Sequence, residues 1–202
     1  MQNRYLVIDD FYDDPDGLVE LATQSIKGKE LPRGNYAGVM TTHPFLGDSI
    51  RDALSKLTLE PVINSATNAN GRIRFTLEGD PFKYHIHYDV DVKTKWAGVV
   101  YLSKDHPKVD GTIFWKHLRT GLESVPNTVE GFAKYGWKDF RDLRMFLKTE
   151  GMDESLWKKT ITIPYKYNRL ILFRPWMLHS PGPAFGNTIE NCRKIQTLFL
   201  GS

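Results

Sequence analysis

The chain has 202 residues, 41% of them hydrophobic, 12% aromatic and 25% charged, the proportions of an ordinary globular protein long enough for one sizeable core. Its formal net charge of +3 is mild and no Lys/Arg run marks a polyanion footprint, which counts against a nucleic-acid partner. Cys192 is the only cysteine, so intramolecular disulfides and thiolate metal clusters are excluded. No apolar run approaches membrane-spanning length, and the opening residues lack the apolar core of a signal peptide. The expected setting is the cytoplasm, with no membrane partner; the sequence is silent on oligomeric state.

In chain order, residues 4–8 predict a short strand. A helix follows, with Asp14 as N-cap, Pro15 at its first position and an apolar face of Leu18, Val19, Leu21, Ala22 and Ile26. Residues 31–38 are loop by composition. A second amphipathic helix is expected near 46–58, carrying Leu46, Ile50, Leu54 and Leu57. From about residue 72 strands take over, at 72–77, 83–90, 96–102 and 111–115, then at 160–163, 169–173 and 194–200. A further buried strand is expected to end in Leu178-His179. Between these groups, residues 118–157 form a polar insertion in which Trp137, Phe140, Leu143, Phe146 and Leu147 suggest one amphipathic helix. The fold class is therefore mainly β with flanking helices, a sandwich or jelly roll. One domain spans 1–202: a helical support region over 1–70, and a β core over 71–202 with a lid-like insertion near 118–157.

The stretch Lys83-Tyr84-His85-Ile86-His87-Tyr88-Asp89-Val90 carries the chemistry. Alternation in an extended strand points His85, His87 and Asp89 the same way. An imidazole and a carboxylate two residues apart can reach one ion, and His179, ninety residues after Asp89, is the best third donor. Two histidines and a carboxylate on one face of an ion, with the opposite positions open, form the ligand set of non-haem Fe(II) oxygenases. An isolated His-x-Asp is more often a pair of surface residues. The ordered set with His179, and Arg193 fourteen residues later, is more specific.

The order His87-x-Asp89, Tyr101, Gly111-Thr112, His179, Arg193 resembles the Fe(II)/2-oxoglutarate-dependent dioxygenase superfamily, in its prolyl-hydroxylase-like branch, over roughly residues 70–200. The opening Phe11-Tyr12-Asp13-Asp14-Pro15 and the run Trp96–Leu102 look similar to a poorly characterised bacterial and phage group within it. The resemblance implies a double-stranded β-helix (a cupin-like jelly roll) backed by N-terminal helices, with Fe(II) held by His87, Asp89 and His179. It also implies 2-oxoglutarate and O2 as co-substrates. The far carboxylate of 2-oxoglutarate would meet Arg193, whose planar fork matches a carboxylate as lysine cannot. Thr197, on the face of Arg193, and Tyr101 are the other expected co-substrate contacts; a core aromatic is an equal reading of Tyr101.

Some residues depart from the family pattern. Arg193-Lys194-Ile195 stands where relatives often have Arg-x-Ser or Arg-x-Thr, and Lys194 would replace Arg193 if the register slipped by one. Phe199 stands where the nucleic-acid-repair branch has a second arginine. Asp89 fills the position that halogenating relatives leave for chloride, so the resemblance implies hydroxylation of an unactivated C–H bond, or a related oxidation, with release of succinate and CO2. The substrate would be an amino acid, peptide or small metabolite. Two alternatives stay open: a non-catalytic jelly-roll binding or sensor module, and a cupin-type metal hydrolase or isomerase.

The remaining candidates have blander readings. His85 has three readings, a partner of the metal ligands, a substrate contact or, preferred, a hydrogen-bonded core histidine. His117 could face the substrate, with a surface histidine at a strand end the preferred reading. His43 and His106 carry no role, and Cys192 should face away from Arg193. Trp115, Trp137 and Trp176 are possible pocket walls, and the 118–157 insertion and the loop at 31–44 are candidate lids.

Overall fold

The computed structural model describes residues 3–28, 36–64, 67–89 and 94–201. Residues 31–35 of the expected lid loop, and Val90 at the end of the ligand stretch, lie outside them. The elements are β1 (Tyr5–Ile8), α1 (Pro15–Ile26), β2 (Val39–Met40), α2 (Asp48–Thr58), β3 (Ile63–Asn64), β4 (Ile73–Thr76) and β5 (Thr94–Tyr101). After these come β6 (Asp110–His117), α3 (Val129–Ala133), α4 (Phe140–Glu150), a 3-10 turn (Glu154–Leu156), β7 (Trp157–Pro164), β8 (Leu170–Phe173), β9 (His179–Pro181) and β10 (Arg193–Gly201).

The strands make two antiparallel sheets. The larger runs β1-β8-β5-β10-β4-β2, with β3 also paired to β10; the smaller runs β7-β6-β9. Ala97, Tyr101, Ile171, Phe173 and Ile195 of the large sheet share one cluster with Phe114 and Ile163 of the small one, so the two sheets face each other across a common core. This is the mainly β, jelly-roll-type architecture with flanking helices that the strand pattern predicts.

Both sheets are also covered on the outside. Strand β8 is buried along its whole length, Leu170 and Leu172 toward the helices and Ile171 and Phe173 toward the small sheet. A strand covered on both faces reads as an unbroken apolar run, as this one does. The helical layer is α1 and α2. Asp14 caps α1 by accepting from the Gly17 amide at 2.9 Å, and Pro15 needs no partner for the N–H it lacks. Ala22 and Ile26 of α1 and Leu54 of α2 are buried against the large sheet. Leu21, expected on that face, is 59% exposed, and Leu46 lies before the first turn of α2.

The insertion covers the other side. Helix α4 buries Leu143 and Leu147 against Ile86, Trp115, Trp157 and Leu178, on the outer face of the small sheet. Trp137 precedes α4 instead of lying in it, and Trp115, Trp137 and Trp176 all pack in this outer cluster. None of the three lines the large cavity: Trp115 packs toward α4 from β6, and Trp176 touches both the outer and the inter-sheet clusters.

Two strand expectations need correction. Arg174–Leu178 is a connection, and His179 opens β9 instead of ending a strand. Residues 83–89 form no ladder; they are held by one isolated antiparallel bridge, in which the His87 and His179 amides each donate to the other's carbonyl at 2.9 Å. Alternation survives without the ladder. Ile86 and Tyr88 pack toward α4, while His85, His87 and Asp89 face the cavity between the sheets.

Candidate metal centre

Between the sheets lies a cavity of about 1330 Å³, and His87, Asp89 and His179 stand on its wall. One ligand atom from each falls within 4.8 Å of the other two. The carboxylate of Asp89 is 3.2 Å from Nε2 of His179 and 3.8 Å from Nε2 of His87. Neighbouring ligands on an ion with bonds of about 2.1 Å lie about 3 Å apart, a spacing the His179–Asp89 pair already has and the His87–Asp89 pair exceeds.

The ring orientations are fixed from behind. Nδ1 of His87 faces the His85 carbonyl at 2.7 Å, and Nδ1 of His179 faces the Met177 carbonyl at 2.9 Å. Only a protonated Nδ1 satisfies such a contact, so each neutral ring presents a bare Nε2 lone pair. Two lone pairs and a carboxylate then converge, which is unfavourable unless a cation sits among them. A proton is a poor substitute on His87, whose pKa is lowered to about 4, first by burial and then by His179. Burial pushes Asp89 up, but the two histidines outweigh it and hold its carboxyl below the ordinary value. The donor set fits a divalent ion.

A pH prediction follows for the metal-free chain. Between about 6.5 and about 4 the unfolded chain protonates His87 while the folded chain does not. Stability from this group is therefore complete above pH 6.5 and declines as pH falls through that window. By pH 4.5 the loss amounts to about 2 to 3 kcal/mol, as the difference between the natural chain and His87→Gln in urea unfolding. Parallel pH curves for the two proteins would contradict it.

Arg193 lies on the same cavity, brought there by the alternation of β10. Arg193, Ile195, Thr197 and Phe199 line it, while Leu198 and Leu200 pack with the helices. Lys194 turns away, and its amine donates to the Glu190 carbonyl at 2.5 Å, so the register that presents Arg193 is unambiguous. Arg193 is 3% exposed; Nη2 donates to the Gly111 carbonyl at 3.1 Å, and Nε is buried without a partner. Among the described residues it has no carboxylate within 4 Å, and burial pushes its pKa down, opposed by Tyr165 and Tyr101. It stays charged all the same. A buried guanidinium with an unpaired N–H is costly unless an anion joins it.

Its surroundings are built from the other candidates. Thr112 lines the cavity, and its hydroxyl is 2.7 Å from that of Tyr101, which is fully buried, stacked on Tyr165 and does not itself line the cavity. The Thr197 hydroxyl donates to the carbonyls of Ala69 and Arg72, so it turns only its acceptor side to any ligand. The backbone at residue 111 must pass close: a Cβ there would lie 2.5 Å from the Tyr101 ring. Gly111→Ala is expected to cost about 1 to 3 kcal/mol, lowering Tm by several degrees, and to loosen the Arg193 contact. An unchanged Tm would contradict this packing.

The other histidines depart from expectation. His85 is not a core residue; it lines the cavity, and its Nε2 is 2.7 Å from the Glu154 carboxylate. His117 is 1% exposed instead of at the surface, because α4 brings Glu150 to 2.8 Å from its Nε2. His106 reaches the cavity against the Tyr165 ring. From the insertion, Met152 and Glu154 reach the cavity. Sequence reasoning missed Tyr36, Tyr165 and Arg74. Arg74 was visible in principle, since Arg72-Ile73-Arg74-Phe75-Thr76 alternates and its apolar members must face the helices.

Fold and site together define a two-sheet jelly roll whose inner cavity holds a two-histidine, one-carboxylate group and a buried, anion-free arginine. The chain belongs to the family of unknown function DUF6445, whose profile matches residues 1–183, a span that includes the three candidate ligands and ends before Arg193. No curated protein matches it by sequence. Among solved structures, it is similar to EctD from S. alaskensis with bound Fe, at 14% identity and a TM-score of 0.46, covering 100% of this chain and 73% of that one. It is also similar to an N-substituted L-amino acid dioxygenase from Burkholderia ambifaria AMMD, at 13% identity and a TM-score of 0.40, covering 98% and 82%. Among the described residues, no helix is long and apolar enough to cross a membrane.

Proposed function

We propose that this chain is an Fe(II)- and 2-oxoglutarate-dependent dioxygenase that hydroxylates an unactivated C–H bond of an amino acid, peptide or small metabolite, releasing succinate and CO2. One observation carries the reading. One ligand atom each from two histidines and a carboxylate lie within 4.8 Å of one another in a cavity whose wall also holds a buried guanidinium with no carboxylate within 4 Å among the described residues.

In this reading His87, Asp89 and His179 are the metal ligands, with both rings held in the ligating tautomer by the carbonyls behind them. Arg193 takes the far carboxylate of 2-oxoglutarate through its free Nε–H, with the Thr112 hydroxyl beside it and Tyr101 holding Thr112 in place. Iron, 2-oxoglutarate and O2 together supply the oxidising power for a C–H bond that no side chain could activate. The protein's own part is position and dryness: Phe173, Ile195 and Phe199 line the cavity and keep water from the reacting centre. A metal-dependent hydrolase or isomerase could use the same three ligands, but it would have no use for Arg193.

The test is turnover. Iron-loaded protein with 2-oxoglutarate and O2 should release succinate and CO2 in equal amounts, faster when a substrate is present. No succinate above a metal-free control, across a broad panel of small acids, amines and peptides, would refute the reading.

A further inference from the structure

Strand β4 turns a second arginine into the cavity. Arg74 lies opposite Ile195 in the register, and its neighbour on the same face, Thr76, lies opposite Arg193. Nη1 of Arg74 donates to the carbonyls of Tyr36 and Ala37, at 3.4 and 3.0 Å, and Nη2 meets the Met40 sulfur at 2.9 Å. These contacts use three of the five N–H groups, one of them on a weak thioether acceptor. Nε–H and an Nη2–H remain.

No carboxylate among the described residues comes within 4 Å of this guanidinium. The acidic groups on the cavity wall are engaged elsewhere. Asp110 pairs with Lys159, Glu154 with His85, Asp80 accepts from the Leu77 amide, and Asp89 belongs to the metal group. Arg193 is also close enough to repel it. Two guanidiniums therefore share one cavity, and among the described residues neither has a carboxylate within 4 Å.

Tyr36 joins this arm to the metal group. Its ring lies 5.0 Å from the His87 ring and 5.7 Å from the Arg74 guanidinium, and the Tyr84 ring is 6.2 Å from it. Arg193 is instead flanked by Tyr165 and Gly111. The cavity thus has two basic arms with different walls, and the metal group adjoins the Tyr36 side.

Charge assigns the second arm. Counted over the metal group and the two arms alone, a divalent ion, reduced by Asp89 and joined by two guanidiniums, carries three positive charges. Bound 2-oxoglutarate, a dianion, removes two of them. One remains.

We propose that Arg74, walled by Tyr36 and Tyr84, is the recognition group for the primary substrate, and that this substrate is a small molecule bearing one carboxylate, its apolar body lying against the tyrosines. The proposal rests on the oxygenase reading and narrows its substrate class. The guanidinium fork accepts a carboxylate through two parallel hydrogen bonds, while a neutral amide offers neither the charge nor the second acceptor.

The experiment uses the whole chain, loaded anaerobically with Fe(II) and saturated with 2-oxoglutarate so that Arg193 is occupied. It is titrated with free L-amino acids, N-acyl amino acids and aliphatic or aryl acids, each beside its primary amide. Change in the visible metal-to-2-oxoglutarate band and calorimetry report binding. At least one acid should bind, with its amide at least tenfold weaker. In Arg74→Gln that preference should vanish while the affinity for 2-oxoglutarate changes less than twofold, and Arg74→Lys should recover part of it. The acid–amide comparison on the natural chain needs no variant, so a misfolded Arg74→Gln would not rescue a wrong proposal. Equal binding of acids and amides, no binding by any acid at 10 mM, or loss of 2-oxoglutarate in place of the acid would overturn it. If the natural chain fails to take up 2-oxoglutarate, the oxygenase reading fails separately, and calorimetry of the same acids on metal-free protein still decides Arg74.

Discussion

Asp89→Ala protein, loaded with Fe(II) without oxygen and desalted, is expected to keep less than a tenth of the iron that the natural chain keeps, and His179→Ala likewise. Losing a partner that merely orients a ligand costs 10- to 100-fold in metal affinity, so losing a ligand should cost at least ~100-fold. A ligand present at a hundred times its Kd stabilises a fold by about 2.7 kcal/mol, and that metal-induced rise in stability should be absent from both variants. The metal-free proteins should behave differently. In the metal-free chain the two histidines hold the Asp89 carboxyl below its ordinary value, His179 Nε2 lying 3.2 Å from it, so Asp89→Ala removes a favourable contact and should lower metal-free stability modestly. Were the three groups a structural cluster only, iron would leave the stability of the natural chain unchanged as well. Iron content and Tm, each measured with and without metal, separate the two accounts.

Arg193→Met is expected to lose 2-oxoglutarate while gaining stability in its absence. The guanidinium is 3% exposed, carries an orphan Nε–H and has only the Gly111 carbonyl as a described hydrogen-bond acceptor. Replacing a buried charge that lacks a counter-ion with an apolar side chain of similar volume is often neutral or stabilising by about 1 to 4 kcal/mol. Charge-assisted hydrogen bonds to a carboxylate contribute about 1.5 to 3 kcal/mol each, so co-substrate affinity should fall roughly 100-fold or more. Opposite signs from a single substitution are hard to produce any other way. Lower Tm together with unchanged 2-oxoglutarate binding would mean that Arg193 is a structural residue and that the anion sits elsewhere, with Arg74 the next candidate.

How much of this was legible depends on what each residue's signal was made of. The Asp14-Pro15 start of α1 and the buried runs of β5 and β8 come from local chemistry and from burial on two faces, and both leave plain marks in a sequence. Strands β2 and β3 have two residues each and β9 has three, too few to show a period. The ligand stretch is instructive, because its side chains alternate as in a strand although a single bridge replaces the ladder. Alternation needs only extended backbone, so the facing of His85, His87 and Asp89 could be read while their hydrogen bonding could not.

The cavity was harder to foresee. Alternating polar residues on an exposed-looking strand suggest solvent; the polar face of β4 looks inward instead, because Ile73 and Phe75 are taken up by the helical layer and the strand pairs with β10. His117 is buried by a helix that starts more than twenty residues later, a contact that no local pattern encodes. Trp115, Trp137 and Trp176, possible pocket walls by sequence, pack instead with α4 and the outer face of the small sheet.

The most direct measurement is an anaerobic titration of the Fe(II)-loaded chain with 2-oxoglutarate, followed in the visible. A metal-to-ligand charge-transfer band should grow to saturation at one equivalent per iron, be lost in Asp89→Ala, and require far higher 2-oxoglutarate in Arg193→Met. An iron-loaded chain that develops no such band, or develops the same band without Arg193, would contradict the account.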